Sequence, residues 1–193
     1  MLAAVGGNEL CLYDINENFH VSHRNTVRDF HRHNLTSLTW NHTNQVVAIS
    51  GRESKISLVQ VSNGSLLSTL PFNNDEAYIG ETIEVAFSSN SRYLASTNAR
   101  CVNLWDLKRR QLRASFTGHK GDVTKLGVGP DGNIAAGDAF GIVRLWDIKS
   151  GVCADTLSPP AGSEVDDSYG SVTALQVAPM GAPRVAVGYA NNG

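Results

Sequence analysis

Val102-Asn103-Leu104-Trp105-Asp106 and Val143-Arg144-Leu145-Trp146-Asp147 decide the reading of the fold. Each is a short alternating apolar run closed by an aromatic residue and a carboxylate. Two further segments share the broader outline of an apolar run ending in an aromatic or aliphatic residue and then a polar one, Leu10-Cys11-Leu12-Tyr13-Asp14 and Ile56-Ser57-Leu58-Val59-Gln60. Their last residues, at 14, 60, 106 and 147, are 46, 46 and 41 positions apart. Upstream runs a second register, Leu35 to Trp40, Ile83 to Phe87, Val123 to Val128 and Val172 to Val177, with steps of 47, 41 and 49. Two registers with one period mark an internal repeat, the signature of stacked or radial architectures.

Inside each period apolar and polar residues alternate with spacing two, as half-buried strands require. Turn residues punctuate them at matching points: His42-Thr43-Asn44, Ser88-Ser89-Asn90-Ser91 and Pro130-Asp131-Gly132, then Asn63-Gly64 and Ser150-Gly151. No capped helical periodicity extends over ten residues. Each period therefore predicts about four short antiparallel strands, one blade of an all-β propeller.

Composition narrows the function. The 193 residues are 41% hydrophobic and 18% charged, with a formal net charge of −2. That balance excludes a disordered acidic or basic tail and gives no global attraction to nucleic acid or anionic membrane. No apolar run approaches the length of a membrane span, and Met1 to Gly7 lacks the positive region of a signal peptide. Cys11, Cys101 and Cys153 are too scattered for a disulfide framework or a zinc cluster. The expectation is a soluble, cytosolic chain.

Trp105-Asp106 and Trp146-Asp147 resemble the paired signature of WD40 repeats, and Thr117-Gly118-His119 resembles the Gly-His that opens one. His31 stands four residues before Leu35, as His119 stands before Val123. Tyr13 and Asp14 occupy the same signature position in the first period. The resemblance covers the whole chain and implies blades held by a His, a strand Ser or Thr, a turn Asp and the Trp. The turn Asp belongs six residues before the Trp, where this chain has Ala99 and Phe140, with Asp138 displaced by two. Incomplete tetrads are expected, with Asp138 or water taking the vacant role.

The repeat divides the chain into a partial blade (1–24), three blades (25–71, 72–117 and 118–158), an acidic loop (159–170) and the start of another blade (171–193). About four blades and part of a fifth fall short of a ring of about seven, which would need roughly 300 residues. The chain thus reads as the N-terminal part of a larger propeller or an incomplete gene product.

Chemistry is sparse. Gly127-Val128-Gly129-Pro130-Asp131-Gly132 has dinucleotide-binding spacing but no helix after it, so it reads as a hairpin turn. His20, His23, His31, His33 and His42 bring no Cys or carboxylate at ligand spacing. No nucleophile elbow and no activated Cys is found. No enzyme, cofactor or metal is expected. From Arg100 to Lys125 seven Lys or Arg face Asp106 and Asp122 alone, whereas Asp155, Glu164, Asp166 and Asp167 form an acidic zone. Lys108, Arg109, Arg110 and Arg113 are the candidate contacts for an acidic partner. Lys108 to Arg110 are expected on one face, and Arg24, Arg28, Arg32, Arg52, Arg100 and Lys120 on the opposite one. Ser158-Pro159 offers a site for proline-directed phosphorylation beside the acidic zone.

Two stretches resemble more closely the N-terminal propeller of centrosomal WD-repeat proteins that recruit the gamma-tubulin ring complex. They are Arg92-Tyr93-Leu94-Ala95-Ser96 through Trp105-Asp106-Leu107-Lys108, with His119 to Thr124 following, and Leu35 to Asn41. That resemblance implies a scaffold at the centrosome or spindle pole with protein partners and no nucleic acid, membrane or small-molecule substrate. The competing reading is a general WD40 adaptor, such as a ubiquitin-ligase substrate receptor.

Overall fold

Strands form throughout, as the two-residue alternation dictates, and no helix occurs among the residues described by the computed structural model: 1–71, 82–129, 132–158, 169–178 and 184–191. The first sheet holds β1 (Leu2–Gly6), β2 (Glu9–Ile15) and β3 (Val21–Val27). The second holds β4 (Leu35–Trp40), β5 (Val46–Gly51), β6 (Ile56–Gln60) and β7 (Leu66–Leu70). The third holds β8 (Val85–Phe87), β9 (Tyr93–Asn98), β10 (Cys101–Asp106) and β11 (Gln111–Phe116). The fourth holds β12 (Val123–Val128), β13 (Asn133–Asp138), β14 (Val143–Asp147) and β15 (Cys153–Leu157). β16 (Tyr169–Val177) and β17 (Val185–Asn191) make a fifth, two-stranded sheet. Every sheet is an antiparallel meander, with strands paired in sequence order.

Two blade boundaries differ from the sequence reading. β3 crosses the expected boundary at 24, because Leu10 pairs with Val27 and Cys11 with Thr26 in the first sheet. β16 begins at Tyr169, inside the segment assigned to the acidic loop, and pairs there with Asn191. Glu164, Asp166, Asp167 and Pro159-Pro160 lie outside the described residues, as do Pro130 and Asp131.

The repeat is written into backbone irregularities as well as into sequence. The register between the third and fourth strands of a blade shifts between Leu58 and Val59, Leu104 and Trp105, and Leu145 and Trp146. The first sheet shifts at the matching point, between Leu12 and Tyr13. A second series of bulges falls on the leading strands, between Leu35 and Ser37, Val123 and Lys125, and Val172 and Ala174. Such bulges bend a strand and raise its twist. The threonine inside the second bulge reaches the next sheet: Thr36 Oγ1 donates to the Ile83 carbonyl at 3.0 Å, and Thr124 Oγ1 to that of Val172 at 2.6 Å. One residue further on, at the position of Ser37 and Lys125, the third sheet has Glu84, whose carboxylate accepts from Ser37 Oγ at 3.2 Å and from Lys125 Nζ. One side chain thereby joins three successive sheets.

Apolar packing between neighbouring sheets supplies the core. Leu10, Leu12 and Val27 meet Leu35, Val47, Ile49 and Val59 between the first two sheets. Ala48, Ile56, Leu58 and Leu70 meet Val85, Leu94 and Trp105 between the next two. Ala95, Val102, Leu104 and Phe116 meet Val123, Ile134, Ala136 and Trp146 between the third and fourth. Each central strand thus buries both faces, one toward each neighbour. Between the fourth and fifth sheets the approach is closer. A Cβ added at Gly137 would lie 2.6 to 2.7 Å from the side-chain carbons of Val172, and one at Gly129 2.9 Å from Val177 Cγ1. Gly127, read from sequence as part of a turn, lies in β12 and gives Leu175 its room.

Candidate docking face

The signature residues are structural. Trp105 and Asp106 are 1% exposed and Trp146 is 2% exposed, while Tyr13, Asp14 and Asp147 are half-buried. Tyr13 packs edge-on against His23, and Asp14 pairs with Arg24 at 3.2 Å. Each tetrad keeps a different subset of its members. In the fourth sheet His119 Nδ1 donates to Asp138 Oδ2 at 2.8 Å, and the His119 ring packs edge-on against Trp146. Asp138 also accepts the backbone N–H groups of Phe140 and Ile142, so the displaced carboxylate fills the role that Phe140 cannot. Gly137 stands where the strand Ser would be. The third sheet keeps that bond, with Trp105 Nε1 donating to Ser96 Oγ at 2.9 Å. The second has His31 and Ser50, both buried, but Val59 in place of Trp. His31 Nδ1 and Nε2 and Ser50 Oγ consequently have no hydrogen-bond partner. Burial lowers the pKa of both histidines; nearby Glu53 and Asp138 oppose the shift at His31 and His119 respectively.

In a four-stranded meander the first turn and the last hairpin emerge at the same end of the sheet. That shared end carries the candidate contacts. Lys108, Arg109 and Arg110 are exposed on the hairpin between β10 and β11, and Arg113 is exposed on β11. Asp106 is turned inward beneath them. Its Oδ1 accepts the Arg109 backbone N–H at 2.9 Å, and its Oδ2 lies 3.4 Å from Arg92 and 3.9 Å from Arg109. Burial works against its charge, yet these donors and cations hold its pKa below the ordinary value. Asp147 is engaged likewise by the Lys149 and Ser150 N–H groups and the Ser150 hydroxyl. Asp106 and Asp147 therefore serve their turns, while Lys108, Arg109 and Arg110 stay exposed above them.

Sequence reasoning missed Arg92 and misplaced Arg24. Arg92 and Arg113 place their guanidinium carbons 5.2 and 5.5 Å from the ring centroid of Tyr93. Arg24, expected on the opposite face, donates to the Ser62 carbonyl at 3.0 Å in the β6–β7 hairpin, because β3 lies against the second sheet. It belongs to the cationic end. At the other end Arg28 pairs with Glu9 and Arg100 with Asp122. Among the described residues no three His, Cys, Asp or Glu converge as a metal site, and no helix is long and apolar enough to cross a membrane.

Residues 110–147 match the model of the WD domain, G-beta repeat family. The chain is 26% identical over 182 residues to pre-mRNA-processing factor 19 homolog 2 of Arabidopsis thaliana, covering 89% of this chain and 32% of that protein. It is 23% identical over 163 residues to COMPASS component SWD3 of Saccharomyces cerevisiae, covering 81% and 48% respectively. Over 80 residues it is 34% identical to small ribosomal subunit protein RACK1y of Oryza sativa, covering 39% and 24%. The chain thus spans between a quarter and a half of the length of these relatives. The matched residues lie within four-stranded antiparallel sheets that recur along the chain, the arrangement of WD40 propeller blades.

Proposed function

We propose that the chain is a non-enzymatic docking scaffold that holds an acidic protein partner on the cationic end of its sheets. The backbone of Arg110 carries this reading. The hairpins of the second and fourth sheets place Gly64 and Gly151 in the left-handed region, at φ 72° and 73°. The third hairpin puts Arg110 there, at φ 56°. A left-handed non-glycine residue costs about 1–2 kcal/mol, and such strain gathers where function requires a particular side chain. Here the side chain adds a cation beside Lys108 and Arg109.

The finer reading names the gamma-tubulin ring complex as partner and the cytoplasmic microtubule-organising centre as the place. It is supported by the resemblance of Leu35–Asn41 and Arg92–Lys108 to centrosomal WD-repeat scaffolds. Replacing Lys108, Arg109 and Arg110 together by Glu in the full-length protein tests it. Loss of localisation to microtubule-organising centres, with loss of co-purifying gamma-tubulin complex subunits, is expected. Unchanged localisation refutes the hairpin's role. A wild-type protein that recovers no such subunits in dividing cells refutes the named partner and favours a general adaptor.

A further inference from the structure

Between the third and fourth sheets, at the cationic end, lies a cleft of about 360 Å³. Ser88, Ser89 and Asn90 from the β8–β9 turn, Tyr93, Gly132, and Ile148 with Lys149 from the β14–β15 hairpin line it. Gly132 is left-handed, at φ 85°. The volume sits at the small end of ligand pockets, roughly 300–1,000 Å³. Its rim is cationic: Lys149 on one wall, Arg113 and Arg92 over Tyr93 on the other, and the Lys108–Arg110 hairpin beyond. Lys149 and Arg113 form no ion pair among the described residues. Among the described residues, the carboxylates within reach, Asp106 and Asp147, are already held by turn N–H groups.

We infer that this cleft takes an acidic peptide segment of a partner protein, an apolar side chain lodging against Ile148 while flanking carboxylates meet Arg113 and Lys149. The inference rests on the docking reading above and gives it a seat. Two features favour a peptide over a nucleic acid. Guanidinium groups already lie over the Tyr93 ring, which removes it as a platform for stacking bases. The overall charge of −2 also leaves no surplus of cations to follow a long phosphate backbone.

The test is a fluorescence-anisotropy titration of the protein with three labelled probes at low salt. They are the peptide EEDEFEDEE, its charge-free analogue QQNQFQNQQ and a ten-nucleotide thymidine strand. The acidic peptide should bind at least tenfold more tightly than either other probe. Arg113→Glu with Lys149→Glu should weaken it at least tenfold with an unchanged thermal midpoint, and Lys149→Ala alone should weaken it measurably. Equal binding of the acidic and charge-free peptides, tighter binding of the oligonucleotide, or indifference to the charge reversals overturns the inference. If the cleft reversals have no effect on partner recovery while the Lys108–Arg110 reversal still abolishes it, the docking reading stands and the cleft falls.

Discussion

Removing the Asp138 side chain should destabilise the fourth sheet by an amount the structure lets one work out. The carboxylate is fully buried and makes three hydrogen bonds, to the His119 ring at 2.8 Å, to the Phe140 N–H at 2.9 Å and to the Ile142 N–H at 3.0 Å. Asp138→Ala leaves His119 with no partner on either nitrogen, because Nε2 has none already. Hydrogen bonds to a charged group contribute about 1.5–3 kcal/mol each, the unpaired His119 ring adds to the loss, and the two turn amides regain part of theirs from water. A cost near 4 kcal/mol follows. Asp138→Asn keeps the shape and the oxygen that the turn amides use, and its amide can donate to a neutral imidazole, so it should cost about 1–2 kcal/mol. Urea unfolding followed by tryptophan fluorescence reads the difference. With a slope of about 2 kcal/mol/M, Asp138→Ala should lower the midpoint by about 2 M. An Asp138→Ala protein within 1 kcal/mol of wild type, or an Asn variant as damaged as the Ala variant, would refute the reasoning.

Further expectations concern packing, backbone and pH. Gly137→Ala drives a methyl group into Val172 and should cost about 1–3 kcal/mol, with Val172→Ala recovering about 1 kcal/mol of it in a double-mutant cycle. Arg110→Gly relieves a left-handed residue and should leave unfolding stability equal or up to about 1 kcal/mol higher, while weakening capture of the partner. His31 and His119 have pKa values lowered by burial, with Lys55 and Arg144 adding to the shift. The folded state thus resists a proton that the unfolded chain accepts near pH 6.5, and stability should be constant above about pH 7 and fall as pH drops below about 6.5. His31→Leu should flatten that slope in unfolding titrations at little cost, since neither ring nitrogen has a partner.

The period was legible because strand alternation and turn residues are local, and both recur every 41 to 49 positions. Even the second sheet, whose Val59-Gln60 carries no signature, takes its place by register. The Asp138 contact was harder to read, since a carboxylate displaced by two residues reaches His119 only once the β13–β14 turn has folded back on it. Gly127 and Gly129 suggested a turn by spacing alone, whereas what they answer to is the proximity of β16, about 50 residues further along. The Tyr93 cleft draws its lining from three turns distant in sequence, so no single motif announces it. Arg24 was misplaced for a related reason: its partner at Ser62 belongs to another sheet. Contacts within a period are encoded locally, and contacts between sheets depend on stacking.

The most direct test of a cationic docking end compares partners recovered by the full-length protein and by two charge-reversed forms. One carries Lys108→Glu, Arg109→Glu and Arg110→Glu; the other carries Arg28→Glu and Arg100→Glu at the opposite end of the sheets. Quantitative mass spectrometry of the captured proteins should show acidic partners lost from the first form and retained by the second. Identical recovery by both forms, or loss confined to the second, would contradict the account.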